Sequence, residues 1–147
     1  MKIAIGSDHG GFHLKEQIKT HLKAQGVELV DVGTDTDSSV DYPDIAEKLC
    51  KLLATGEPER GILICGTGIG ISIAANKMPG IRAALCGDVF SALMSRQHND
   101  ANVLCLGERT TGVGHAEMIV DTWLNGEFLG DRHTRRVNKI MNLEKTR

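Results

Sequence analysis

Gly61-Ile62-Leu63-Ile64-Cys65-Gly66-Thr67-Gly68-Ile69-Gly70 decides how the rest of the chain is read: an apolar run closes on a thiol followed by three alternating glycines. The run predicts a buried strand, the glycines a tight loop, and the residues beyond them a helix. In that layout the glycines let backbone N–H groups turn toward a bound group, and the helix presents its positive end to the same spot, which makes an anion site. A thiol there favours its thiolate, since helix N-termini and nearby cations lower the ordinary Cys value of about 8.5. Cys65 is thereby a candidate base or nucleophile. An isolated Cys at a strand end is more often packing than chemistry, because free Cys is among the most buried residue types. The glycine loop turns the balance toward chemistry.

Outward from this stretch, short apolar segments alternate with helical patterns, the signature of βα units on a parallel sheet. Five strands are expected, at residues 2–6, 27–32, 61–65, 81–85 and 103–106, several of them near-continuous apolar runs. Leu14, Ile18 and Leu22 mark a helix that stops at Gly26, and Ile45, Leu49, Leu52 and Leu53 mark a second before Gly56. Pro43 suits a first turn. Asp88 and Thr111 are the expected N-caps of the helices carrying Val89, Leu93 and Met94, and Ile119, Val120 and Trp123. A last helix beginning near His133 carries Val137, Ile140 and Met141 as one apolar stripe, placed after the last strand and so free to pack on a second subunit. The fold class is α/β: a three-layer α/β/α, Rossmann-like arrangement with a five-stranded parallel sheet and an extra C-terminal helix.

The 147 residues are expected to form one domain, 1–147, with no repeat, linker or low-complexity tract. Seventeen Lys and Arg against nineteen Asp and Glu give a net charge of −2, which argues against a nucleic-acid or anionic-membrane partner, so any basic site is local. The four cysteines, at 50, 65, 86 and 105, form no CxxC pair and lie in apolar segments. Neither a zinc site nor a disulfide framework is indicated, and a reducing cytoplasm fits. No apolar run nears the roughly 18 residues of a membrane span, and the strand-like start Met1-Lys2-Ile3-Ala4-Ile5-Gly6 reads as no export signal.

Ligands of open parallel sheets bind beyond the carboxyl ends of the strands, which directs attention to the residues just after each strand. These are Ser7-Asp8-His9-Gly10-Gly11, the Cys65 loop, Cys86-Gly87-Asp88 and Gly107-Glu108-Arg109, and several of them are expected to converge on one pocket. Asp8 and His9 read equally as turn and capping residues until Gly10 and Gly11 are counted, after which contacts to sugar hydroxyls or a phosphate fit better. His98-Asn99-Asp100 ends the fourth helix, where a lone His is more often a favourable C-terminal charge than a catalyst. Arg132 and Arg136 stand at i and i+4, so one helix face can carry both guanidiniums, with Arg109 as a third phosphate candidate. A solvated basic face is the usual reading of such a run, and it weakens beside an anion loop. Dinucleotide binding is disfavoured because GxGxxG needs glycine where Ile71 stands, although Asp88 falls where a ribose-binding acid is expected. A Cys-based phosphatase or hydrolase is less well served, since that chemistry usually wants an Arg inside the loop and residues 66–70 hold none. No P-loop GK[ST], HExxH or GxSxG occurs.

Taken together, Ser7-Asp8-His9-Gly10-Gly11, Cys65-Gly66-Thr67-Gly68-Ile69-Gly70, Arg96-Gln97-His98-Asn99-Asp100 and Leu106-Gly107-Glu108-Arg109 resemble the ribose-5-phosphate isomerase B family, the RpiB/LacAB sugar-phosphate isomerases, over nearly the whole chain. The resemblance implies interconversion of an aldose phosphate and its ketose phosphate by a proton shuttle between C1 and C2 through a cis-enediolate, without metal or other cofactor. It also implies a homodimer, sometimes paired into tetramers, with each active site built from both subunits. Residue by residue, Cys65 matches the base, a role that some members give to a Glu elsewhere. The amides of Gly66, Thr67, Gly68, Ile69 and Gly70 match the anion hole, with Thr67 also positioning the sugar. His98 matches the acid and base that opens the furanose ring, with Asp8 near the ring oxygen and Asn99 on a hydroxyl or the enediolate. His9, Arg109, Arg132 and Arg136 match the phosphate-binding set. His98, Asn99 and Arg109 are assigned to the partner subunit. The family also includes allose- and galactose-6-phosphate isomerases; His9 with the three arginines favours the five-carbon substrate. Two functions of different class follow: a pentose-phosphate isomerase, or a noncatalytic sugar-phosphate sensor that would keep the arginines and the glycine loop but have no use for the Cys65 thiol.

Overall fold

The computed structural model describes residues 1–146. Five parallel strands, β1 (Lys2–Ser7), β2 (Glu28–Asp31), β3 (Arg60–Cys65), β4 (Ala83–Leu85) and β5 (Val103–Gly107), form one sheet in the order β2-β1-β3-β5-β4. The α-helices are α1 (Phe12–Ala24), α2 (Tyr42–Leu53), α3 (Ile69–Ala75), α4 (Val89–Gln97), α5 (Val113–Asn125) and α6 (Arg132–Asn142), with short 3₁₀ turns at His9–Gly11 and Leu143–Thr146.

Strand order and the right-handedness of βαβ crossovers together fix the layers. Passing from β1 to β2 and from β4 to β5 runs one way across the sheet, and passing from β2 to β3 and from β3 to β4 runs the other way. Right-handed connections therefore put α1 and α4 on one face and α2 and α3 on the opposite face. The two cores match this division. Leu14, Ile18 and Leu22 of α1 and Ala92 of α4 pack with Ile62 and Ile64, together with Ile119, Val120 and Trp123 of α5. Ala46, Leu49 and Leu53 of α2 and Ile71 and Ala75 of α3 pack with Leu63 and Cys65. Alternate residues of β3 thus feed opposite cores, and each fully buried Ile or Leu contributes about 1.5–3 kcal/mol. This is the three-layer, Rossmann-like α/β fold read from the sequence.

Element ends differ from expectation for local reasons. The strand expected at 81–85 is only Ala83–Leu85, because side chains take the pairing positions around it. Arg82 N–H donates to Asn102 Oδ1 at 2.8 Å, and Asn102 Nδ2 donates to the Gly80 carbonyl at 2.8 Å. Ala83 N–H donates to Asn76 Oδ1 at 2.8 Å, and Asn76 Nδ2 donates to the Ala83 carbonyl at 2.9 Å, so one amide side chain imitates a neighbouring strand at the sheet edge. Asp88 caps α4 as expected, its carboxylate accepting from Ser91 N–H at 2.7 Å. The expected Thr111 cap is corrected to Gly112: Thr111 N–H donates to Gly107 in the turn after β5, and the first helical acceptor is the Gly112 carbonyl. The last helix starts at Arg132, with Val137 buried but Ile140 exposed. No helix among the described residues is long and apolar enough to cross a membrane.

Candidate active site

β1 leads into α1 on one face and its neighbour β3 leads into α3 on the other, so the carboxyl ends of these two strands form the switch point at which open α/β sheets bind ligands. Cys65 is the last residue of β3, paired in register with Gly107 of β5. Its side chain is buried, and Gly68 N–H donates to Sγ at 3.1 Å. A thiolate accepts such a bond more strongly than a thiol does. The bond exists because Gly68 turns back with φ of +77°, a left-handed conformation that L side chains rarely adopt; a Cβ there would lie 2.5 Å from Leu85 Cδ1 and 2.9 Å from the Leu106 carbonyl carbon. Thr67 is exposed, and its Oγ1 accepts from Ile69 N–H at 3.2 Å at the start of α3. The other three thiols are of a different kind. Burial pushes Cys50 up to about 12 and Cys86 up to about 11, and it raises the wholly enclosed Cys105 as well.

The loop after β1 lies against this one. Asp8 is buried, its Oδ1 accepting from Gly11 N–H at 3.1 Å to cap the 3₁₀ turn, and Asp8 N–H donates to the Ile64 carbonyl at 3.3 Å. At Gly10 the backbone comes so close that a Cβ would lie 3.2 Å from Gly66 N. His9 Nδ1 is 3.2 Å from both the amide nitrogen and the carbonyl oxygen of Val40; with the amide donating, the ring proton sits on Nε2, which then points away from Val40 as a donor. After β5, Glu108 N–H donates to the Cys65 carbonyl and Arg109 N–H to the Gly66 carbonyl, both at 2.9 Å. The exposed Arg109 guanidinium lies over Gly66, Nη1 standing 3.1 Å from where a Cβ would be. Arg109, assigned by the resemblance to the partner subunit, lies beside the Cys65 loop of its own chain.

His98, Asn99, Arg132 and Arg136 are elsewhere. α4 begins beyond the carboxyl end of β4 and runs back, so His98 caps it at the amino end of the sheet. There Arg82, just ahead of β4, donates from Nε to the carbonyls of Asn99 and Asp100, both at 3.0 Å. α6 starts at the same end: Leu129 N–H donates to the Gln97 carbonyl at 3.1 Å, and His133 stacks on His98. From the pairing of Gly61 with residues 102–103 to that of Cys65 with Gly107 is the length of β5, roughly 15 Å. Within one chain the candidate residues thus fall into two groups at opposite ends of the sheet, Cys65, the 66–70 loop, Asp8, His9 and Arg109 at one and His98, Asn99, Arg132 and Arg136 at the other, the separation that a site shared between two subunits requires.

A cavity of about 630 Å³ opens between α6 and the segment joining α3 to β4, and Asn99 is the one candidate residue that lines it. Among the described residues no group of three or more His, Cys, Asp and Glu is placed to hold a metal ion. Tyr42 escaped the sequence reading: its ring covers Gly70, where a Cβ would lie 2.6 Å from Cζ. Its signal was the chain's one tyrosine standing directly before Pro43. His133 and Arg82 were also passed over, their partners being tens of residues away.

Comparison with known proteins agrees with this architecture. The model of the ribose/galactose isomerase family matches residues 3–140. The chain is 52% identical over 146 residues to ribose-5-phosphate isomerase B of Escherichia coli (strain K12), covering 99% of this chain and 98% of that one. It superposes on the ribose-5-phosphate isomerase B of Clostridium thermocellum with a TM-score of 0.98 at 58% identity over 99% of both chains. On the Mycoplasma genitalium enzyme, whose crystal structure contains bound ribulose-5-phosphate, the TM-score is 0.94 at 42% identity over 99% of this chain and 97% of that one. With the fold, the thiol-bearing glycine loop and these matches in hand, the chain belongs to the ribose/galactose isomerase family.

Proposed function

We propose that this isomerase interconverts D-ribose 5-phosphate and D-ribulose 5-phosphate through a cis-enediolate, in a homodimer whose sites each join the Cys65 half of one subunit to the His98 half of the other. The observation that carries the reading is the Cys65 thiol, held at the sheet's switch point with a backbone N–H on its sulfur and the Asp8–His9 loop beside it. The partner subunit's His98 gives a proton to the furanose ring oxygen and takes one from the anomeric hydroxyl, opening the sugar. Cys65 then removes the proton from C2 of the aldehyde and returns it at C1, while the proton on O2 moves to O1. Negative charge gathers on the enediolate oxygen, which is met by amides of the 66–70 loop other than those of Gly68 and Ile69, already bonded to Cys65 Sγ and Thr67 Oγ1; each well-aimed donor in such a hole is worth about 3–4 kcal/mol.

Asp8 and the partner subunit's Asn99 hold the sugar hydroxyls. His9 and Arg109 meet the phosphate with the partner subunit's Arg132 and Arg136, so binding at the far end places C1 and C2 beside Cys65. Exposed Ile69, Ile73, Leu85 and Phe90 lie on α3, β4 and the start of α4, around the Cys65 half, and supply the apolar surface against which a second copy closes. The four free cysteines suit the reducing cytoplasm in which we place the reaction.

The test is the steady-state conversion of ribose 5-phosphate, with chelator present and allose 6-phosphate measured beside it, for the wild type and Cys65→Ala. Turnover of the pentose phosphate is expected to survive chelation and to fall by about 10²–10⁴-fold in the variant, the usual weight of a general base. Full activity in Cys65→Ala would remove the base, and turnover of neither sugar would leave the noncatalytic reading.

A further inference from the structure

We infer that His133 is a positioning residue, whose imidazole fixes the ring plane of His98 for furanose opening; this rests on the ring-opening role proposed for His98 above. The two rings are 4.2 Å apart between centroids and inclined by only 10°, face on face. His133 is buried at 6% exposure whereas His98 is half-buried, so the inner ring serves as a floor on which the outer ring lies. No hydrogen bond within the described residues engages a His133 ring nitrogen, and the stack is the contact its side chain makes with a candidate catalytic group.

The backbone on both sides is built to hold this pair. His98 closes α4, its N–H donating to the Met94 carbonyl at 2.8 Å. Two residues on, Asp100 takes φ of +47° and is gripped by Arg96 at 2.9 Å and Arg82 at 3.3 Å. On the other side of the contact, Asp131 takes φ of +54° immediately ahead of α6, which sets the direction from which His133 enters. Non-glycine residues at positive φ are strained and persist only where surrounding contacts over-determine them.

Charge supports the same role. Loss of hydration first, then His98, Arg132 and Arg136, lower the proton affinity of His133, with Asp131 opposing. A neutral His133 ring can stay stacked while His98 gains and loses a proton, because an imidazolium over a neutral aromatic face is attracted, whereas two imidazoliums face to face repel. The chain thus places beside its ring-opening histidine a second one that does not compete for the proton.

Ring opening can be separated from the later proton transfer, since ribulose 5-phosphate, its C5 oxygen blocked by phosphate, is already open. Exchange of its C1 hydrogen with D2O, followed by NMR, needs Cys65 and not His98. The experiment measures this exchange and ribose 5-phosphate turnover for His133→Ala, His133→Phe and His98→Asn. His133→Ala is expected to lose about ten- to a hundredfold in ribose turnover, the range of a displaced catalytic group, while exchange stays within about twofold. His133→Phe, which keeps a flat neutral face, is expected to recover most of the turnover. If His133→Ala changes both rates equally or neither, while His98→Asn loses turnover alone, the positioning role is overturned and ring opening by His98 stands. If His98→Asn loses both rates, ring opening by His98 is overturned and the inference with it. Should His133→Ala fail to fold, His133→Asn, of similar bulk without an aromatic face, is read by the same two rates and the same criteria.

Discussion

A buried cysteine is chemical or inert through its immediate surroundings, and the reading proposed above makes Cys65 the one reactive thiol of four. Cys105 is wholly enclosed in β5, and Cys50 and Cys86 pack into the two cores with their thiols pushed up by burial. Cys65 has a backbone donor on its sulfur and a glycine loop in front of it. Alkylation of the native protein with iodoacetamide near pH 8 is therefore expected to modify Cys65 ahead of the other three, with ribose 5-phosphate slowing the reaction. Mass spectrometry finding Cys50, Cys86 or Cys105 labelled first would contradict this division. Cys65 and its glycines were legible from the sequence because strand, loop and helix are contiguous there. Tyr42 over Gly70 was not, since nothing in the spacing from 42 to 70 records the contact.

At the scale of elements, α1 is tied to β2 by a buried ion pair that no motif announces. Lys15 is fully buried, and its Nζ donates to both Asp31 carboxylate oxygens at 2.9 Å and to the Thr34 carbonyl at 2.6 Å; Lys19 donates to Asp31 Oδ2 at 2.7 Å. Burial alone would raise the Asp31 carboxyl, but the bonds from Lys19, Lys15 and Gly33 N–H outweigh it and hold the group below its ordinary 3.8. A carboxyl depressed in the folded state stabilises the fold fully above its unfolded value, and that contribution is lost as the pH falls through the folded value. Asp31→Asn is thus expected to flatten the loss of stability below about pH 4. At pH 7 it should cost roughly 1.5–3 kcal/mol, because the buried Lys15 ammonium loses its nearest carboxylate and keeps only the Thr34 carbonyl and Glu16 at 3.6 Å. Urea midpoints of both proteins between pH 3 and 7 check the two effects, and equal midpoints at neutral pH would remove the pair from the account of stability.

For the whole molecule, the roughly 15 Å of sheet between the two residue groups makes subunit complementation the test of the shared site proposed above. In the dimer proposed above, Cys65→Ala and His98→Asn homodimers each carry two defective sites. Dissociated, mixed in equal amounts and reassociated, half of the dimers become mixed, and each of these holds one intact site and one doubly defective site. Recovered activity is expected to approach about a quarter of the wild type, while neither variant alone gains any from the same treatment. No recovery in mixed dimers, once their formation is verified, would mean that each site is complete within one chain.

The alternation of βα units, the apolar strands and the anion loop after β3 were all written in local pattern, since strand period, glycine turns and helix faces act over a few residues, whereas His98 and Asn99 became candidates only through the family resemblance. Local pattern does not determine the order in which strands join a sheet, because that depends on crossovers spanning tens of residues and on which helix faces can be buried together. The order β2-β1-β3-β5-β4 put Arg109 with Cys65, sent Arg132 and Arg136 to His98, and laid His133 under that ring. Sequence named the chemical groups; tertiary structure divided them between two ends of the sheet, because residues distant along the chain meet only where the packed layers bring them.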